Sequence, residues 1–170
     1  FRKSGVLKVT YLDWWDKISL PGLPEVTFVP AQHFSGRSLS DRNKALWGAF
    51  TVHTTEGRVF FAGDTGYGPH FCEIEARLGP TFLALLPIGA YRPRWFMSPV
   101  HMDPAEVVRA HSDLKARYSM GIHFGTFQLT EEGVDEPGEE LLAALAKNSV
   151  AEQNFWLPEF GEGRMFATGV

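Results

Sequence analysis

A chain of 170 residues is the size of one domain. Its 44% hydrophobic content, with 14 Phe, 5 Trp and 4 Tyr, supplies ample core material and excludes disordered and collagen-like classes. Acidic residues outnumber basic ones 20 to 16, a formal charge of −4, which argues against a nucleic-acid partner held by a basic surface.

A single cysteine, Cys72, excludes an internal disulfide and a Cys-x-x-Cys zinc knuckle, and points to a reducing compartment, the cytoplasm. No apolar run approaches the ~20 residues of a membrane span, and the Phe1-Arg-Lys-Ser4 start does not read as a signal peptide. The chain begins at Phe1, not methionine, with strand-like sequence almost at once, the expected pattern of a processed chain or of the back part of a longer one.

Val6–Leu12 is rich in β-formers and reads as a strand, followed by a turn at Leu20–Pro24 and a strand at Val26–Val29. Residues 46–54 and 58–62 flank Thr55-Glu56-Gly57 as a hairpin. Pro69–Leu78 reads as a helix with Phe71, Ile74 and Leu78 on one face, stopped by Gly79. Phe82–Leu86 is continuously apolar, as a strand buried on both faces would be. Asp103-Pro104-Ala105-Glu106 spells an N-cap, proline in the first turn and a capping-box glutamate, with an apolar face of Val107, Ala110, Leu114 and Tyr118. His111 shares that face and reads as a packed core histidine, and Trp14 and Trp15 as core and edge packing. A strand at Tyr118–Ile122, a helix near 138–147 and strands near 154–157 and 164–168 complete the chain. Strands first and βα units afterwards indicate an α/β or α+β domain with helices against a mixed sheet.

Three metal-ligand side chains stand just beyond strand ends: His33, Asp64 and His123. Ligands in open α/β sheets bind outside the carboxyl ends of strands, and two imidazoles with a carboxylate suit zinc or a similar divalent ion. Each also fits a plainer role, the histidines as capped or surface residues and Asp64 as the organiser of the Asp64-Thr65-Gly66 turn. No nucleophile elbow or phosphate loop is present. The segment Pro87–Pro104, with Tyr91, Trp95, Phe96 and Met97, reads either as an apolar wall or membrane-facing lip, or as an ordinary core loop. Within it, Arg92 and Arg94 read either as contacts to lipid phosphates or as solvated charges.

Eight blocks in order carry a resemblance: Leu12-Asp-Trp-Trp15, Pro30-Ala-Gln-His-Phe-Ser-Gly-Arg37, Leu46-Trp-Gly48, Phe60-Phe-Ala-Gly-Asp-Thr-Gly-Tyr67, Pro87-Ile-Gly-Ala-Tyr91, Pro93-Arg-Trp-Phe-Met97, His101-Met-Asp-Pro-Ala-Glu106 and Gly121-Ile-His-Phe-Gly-Thr-Phe127. The set resembles the N-acyl-phosphatidylethanolamine-hydrolysing phospholipase D family of metallo-β-lactamase-fold hydrolases. The resemblance implies a metallo-β-lactamase-like αββα sandwich, of which residues 1–170, read as a single domain, look like the C-terminal half. It implies two divalent metal ions, zinc by family, with His33 on the first, His123 on the second and Asp64 bridging both as a catalytic ligand. His101 matches a substrate-binding histidine near the scissile phosphate. Two ions of this kind would lower the pKa of a bound water towards ~7 and make hydroxide available.

The family's upstream His-x-His-x-Asp-His string is absent from the sequence, whose six histidines stand at 33, 53, 70, 101, 111 and 123. The expectation is that the missing N-terminal half supplies those ligands and that this chain alone is inactive. The implied reaction is hydrolysis of N-acyl-phosphatidylethanolamine or a related phospholipid to an N-acylethanolamine and phosphatidic acid, with peripheral membrane contact. The alternatives are a hydrolase of another phosphodiester, ester or lactone on the same fold, or a metal-free regulatory module. Half a sandwich would also leave one apolar sheet face uncovered, favouring homo-oligomers or aggregation.

Overall fold

The computed structural model describes residues 5–38 and 40–167. Seven strands form one sheet: β1 Lys17–Ile18, β2 Glu25–Val29, β3 Ala49–Thr54, β4 Gly57–Phe61, β5 Leu83–Pro87, β6 Tyr118–Ile122 and β7 Phe155–Trp156. Their order in space is their order in the chain, antiparallel from β1 to β4 and parallel from β4 to β7. The mixed sheet expected from the sequence is therefore present. Parallel neighbours need crossovers, and helices α1 His70–Leu78, α2 Arg94–Met97, α3 Pro104–Asp113 and α4 Glu136–Lys147 lie on them.

Local sequence accounts for the helices that pack. In α3 the Asp103 side chain accepts the Glu106 amide at 2.8 Å, and the Glu106 side chain accepts the Asp103 amide at 3.1 Å, closing the capping box. In α1, Phe71 and Ile74 are fully buried and the chain leaves the helix at Gly79, whose amide bonds the Glu75 carbonyl.

One face of the sheet carries Val29, Ala49, Phe60, Ala84, Leu86 and Phe155, which share a core cluster with Phe71 and Ile74 of α1, Val107 and Ala110 of α3 and Leu141 and Leu145 of α4. The opposite face is apolar too, yet open. Phe50 pairs with Phe61 across β3–β4, and the two rings are 40% and 45% exposed. Leu83 and Leu85 of β5 point the same way and are half-buried, so β5 is not buried on both faces as its composition implied. The reason is layering: the core helices cover only the other side.

Three more expectations are corrected. Val6–Leu12 forms no strand; Leu7 and Tyr11 are 85% and 87% exposed, because no ladder partner lies beyond β1 among the described residues. Tyr118 is the first residue of β6, since α3 has already ended at Asp113. Residues 164–167 form no strand, and residue 168 lies outside the described residues. No helix among the described residues is long and apolar enough to cross a membrane.

Candidate metal centre

Two antiparallel steps, β2 to β3 and β3 to β4, return the chain to its starting direction, so β2, β4, β5 and β6 end at one edge of the sheet. His33 follows β2, Asp64 follows β4 and His123 follows β6 directly, while His101 comes from the loop between α2 and α3. The structure thus brings together all four site residues read from the sequence. Ligand atoms of His33, Asp64 and His101 lie within 4.8 Å of one another. His123 Nε2 is 3.5 Å from Asp64 Oδ1. The His101 ring stands between the other two imidazoles, with centroids 5.4 Å from His33 and 5.5 Å from His123.

Three imidazole nitrogens here are buried and have no hydrogen-bond partner among the described residues: His33 Nε2, His101 Nδ1 and His123 Nδ1. Buried polar atoms are nearly always paired, so unpaired nitrogens on His33 and His101, residues whose ligand atoms gather with Asp64, fit a bound group such as a divalent cation, while His123 turns its other nitrogen, Nε2, to the same carboxylate. The His33 tautomer agrees, because Nδ1 donates to the Phe34 carbonyl at 3.1 Å and leaves the Nε2 lone pair free. His101 is 9% exposed, and burial pushes its pKa down to about 4 against the opposing pull of Asp64, so its ring is neutral at pH 7.

The backbone around His123 is set with little slack. His123 has φ of 61°, the left-handed region that non-glycine residues rarely adopt. Its carbonyl oxygen packs so closely against Gly89 that a Cβ there would overlap it. The loop beyond is tied back by Glu132, a buried carboxylate that accepts the Arg92 amide at 3.0 Å and the Tyr91 amide at 3.2 Å. Nothing in the sequence around Glu132 marked this role, which depends on a partner 40 residues away.

The remaining histidines lie elsewhere. His53 sits at the opposite end of the hairpin, paired with Glu25 and Arg58. His70 begins α1, and His111 is buried with Nδ1 2.8 Å from Ser119 Oγ, the core position its helical spacing indicated. Trp14 donates to the Trp47 carbonyl at 2.7 Å, and Trp15 packs against the core cluster.

Arg92 and Arg94 are not held out for phosphates. Arg92 pairs with Glu136 at 2.8 Å and with Glu140, and Arg94 pairs with Glu106 at 2.7 Å and Asp103 at 3.4 Å. Trp95 and Phe96 of α2 are 82% and 63% exposed, whereas Tyr91 and Met102 at the ends of the same segment are buried in the domain.

Comparison with known proteins accords with this architecture. The β-lactamase superfamily domain family matches residues 1–124. The mitochondrial N-acyl-phosphatidylethanolamine-hydrolyzing phospholipase D of Saccharomyces cerevisiae is 40% identical over 169 residues, covering 96% of this chain and 36% of the yeast protein. N-acyl-phosphatidylethanolamine-hydrolyzing phospholipase D 1 of Caenorhabditis elegans is 41% identical over 141 residues, covering 79% of this chain and 38% of the worm protein. The chain thus spans little more than a third of the length of these two curated relatives. Among solved structures, an isothiocyanate hydrolase from Delia radicum gut bacteria superposes with a TM-score of 0.71 at 19% identity, over 97% of this chain and 62% of that one. At that identity the likeness is one of fold. With the sheet, its one-sided helices and the matched profile in agreement, the chain belongs to the β-lactamase superfamily domain family and has the metallo-β-lactamase fold.

Proposed function

We propose that this chain forms part of a metal-dependent hydrolase of the phospholipase D type, cleaving the phosphodiester of N-acyl-phosphatidylethanolamine or a related phospholipid. The observation that carries the reading is the gathering of three imidazoles at Asp64, with ligand atoms of His33 and His101 within 4.8 Å and His123 Nε2 at 3.5 Å. The two relatives at 40% and 41% identity support the substrate class.

Divalent ions held at this edge would supply an acidified water and positive charge against phosphoryl oxygens. The protein's own part is geometric. Asp64 stands within reach of both His33 and His123, so these three residues would hold the divalent metal, zinc by family. The Phe34 carbonyl holds the proton of His33 on Nδ1 and keeps Nε2 available. His101, neutral and seated between the two ligand rings, has a second ring nitrogen to offer a phosphoryl oxygen or the leaving alcohol. Three protein ligands do not complete two ions, so the remaining ligands come from chain outside these 170 residues.

A second reading has its own observation. His33, Asp64 and His101 are the three whose ligand atoms lie mutually within 4.8 Å, which suits a single ion held by that triple. Metal content and phosphodiesterase turnover of the full-length protein, on vesicles containing N-acyl-phosphatidylethanolamine, separate the readings. His101→Ala is expected to keep its metal and lose turnover. Loss of metal in that variant overturns the shared-carboxylate assignment, and a wild-type protein without metal or turnover overturns the hydrolase.

A further inference from the structure

The side chains of the centre come from separate loops, and one residue touches all three loops that carry His33, Asp64 and His101. Thr65 follows Asp64 in the chain and is fully buried. Its hydroxyl accepts the amide of Gln32, the neighbour of His33, at 2.9 Å. Its carbonyl accepts the amide of Met102, the neighbour of His101, at 3.1 Å. Each of the three side chains is therefore one peptide unit from a group bonded to Thr65.

Further contacts brace the same knot. The Gly66 amide donates to the Gln32 carbonyl at 2.8 Å, and Gln32 Nε2 donates to the Pro99 carbonyl at 3.0 Å. Gly66 admits this crossing because it has no side chain, since a Cβ there would sit 2.7 Å from the Pro99 oxygen and 2.8 Å from Gln32 Nε2. The hydroxyl is also fully used. Its own proton goes to the Gly66 carbonyl at 2.9 Å, and His70 Nε2 lies 3.3 Å away. With the His70 proton on Nε2, Thr65 Oγ1 accepts twice and donates once, its whole capacity.

We propose that Thr65 is the positioning residue of the centre, holding the His33 and Asp64 loops in the register that binds the metal and the His101 loop in the register that meets substrate. The inference rests on the metal-centre reading above. Groups that orient ligands in this indirect way typically govern metal affinity as strongly as a ligand's own neighbours do, with losses of roughly 10–100-fold on mutation. Gln32 is its partner on the first loop, and His70 its support from α1.

The test uses Thr65→Val, which keeps the shape and removes the hydroxyl, beside Thr65→Ser, which restores it, in the full-length protein. Zinc affinity is measured by chelator competition, fold by the far-ultraviolet spectrum and melting of the metal-free protein, and kcat and KM on phospholipid vesicles. The valine variant is expected to bind zinc at least ~10-fold more weakly, with kcat reduced and KM little changed, and the serine variant to return within ~3-fold of wild type. Should the valine variant fail to fold, Gln32→Leu removes the Pro99 link alone and is expected to weaken zinc binding in the same direction. Unchanged zinc affinity in a folded valine variant, or a serine variant as weak as valine, overturns the positioning role while leaving the centre intact. Absence of zinc binding in the wild type overturns both.

Discussion

Arg94 Nη2 lies 2.7 Å from Glu106 Oε2, the same oxygen that accepts the Asp103 amide to close the cap of α3. One carboxylate oxygen therefore serves a helix start and an ion pair together. Arg94 Nη1 also donates to the His101 carbonyl at 2.9 Å, so the guanidinium fastens the segment that presents His101.

Replacing Arg94 by alanine is expected to cost about 1–2 kcal/mol, the scale of partly buried charged hydrogen bonds discounted for solvent screening. Lysine should recover less than half, since a single ammonium lacks the planar fork needed for Glu106 and the His101 carbonyl at once. Urea unfolding of the three proteins measures this. Unchanged stability with a raised KM for phospholipid would instead make Arg94 a phosphate contact.

Asp64→Asn is expected to be the most damaging change at the centre, because it removes the negative charge facing all the site imidazoles. Metal content should fall below half of wild type and turnover by about 100-fold or more. His101→Ala should lower turnover by roughly 100-fold with metal retained. Elemental analysis of both purified variants beside a phosphodiesterase assay decides.

Stability should fall in acid through histidines outside the centre. Burial pushes His70 down from 6.5 to about 4, and burial lowers His111 as well. Between those values for His70, the unfolded chain binds the proton and the folded chain does not, so stability is complete above pH 6.5 and falls as pH drops towards 4. For His70 alone the loss is up to about 3 kcal/mol. His70→Gln should flatten that slope in urea midpoints taken across the window, and an unaltered slope would refute the assignment.

The 170-residue chain produced alone should self-associate through its open sheet face. Phe50 and Phe61, at 40% and 45% exposure, are its most exposed rings. Changing both to serine should weaken association at least ~10-fold, since each ring contributes roughly 1 kcal/mol or more of buried area. Sedimentation at several concentrations measures it; identical behaviour of variant and parent would place the contact elsewhere.

What the sequence made legible was mostly local. The Asp103–Glu106 capping box, the apolar spacing of α1 and the Thr55–Gly57 hairpin depend on residues within a few positions of one another. His111 was readable from the face it shares with Val107 and Leu114. The errors were non-local. Val6–Leu12 has the composition of a strand and no ladder partner among the described residues, and β5 has the composition of a doubly covered strand with helices on one face only. The four site residues were legible only as the ends of separate strands and a loop, joined by family resemblance. Thr65, Gln32 and Glu132 are not legible because the bonds that join them to the site cross 33 to 67 positions of chain.

Because each strand of the sheet pairs with its neighbour in sequence, the sheet can be laid down in the order of synthesis, each strand adding to an edge already present. The centre follows a different timetable. Its side chains run from His33 to His123, and the last arrives only at the end of β6, the sixth of seven strands. A chain halted between α3 and β6 would already contain His33, Asp64 and His101 and still lack His123, so the last of the four side chains depends on the last long strand of the sheet.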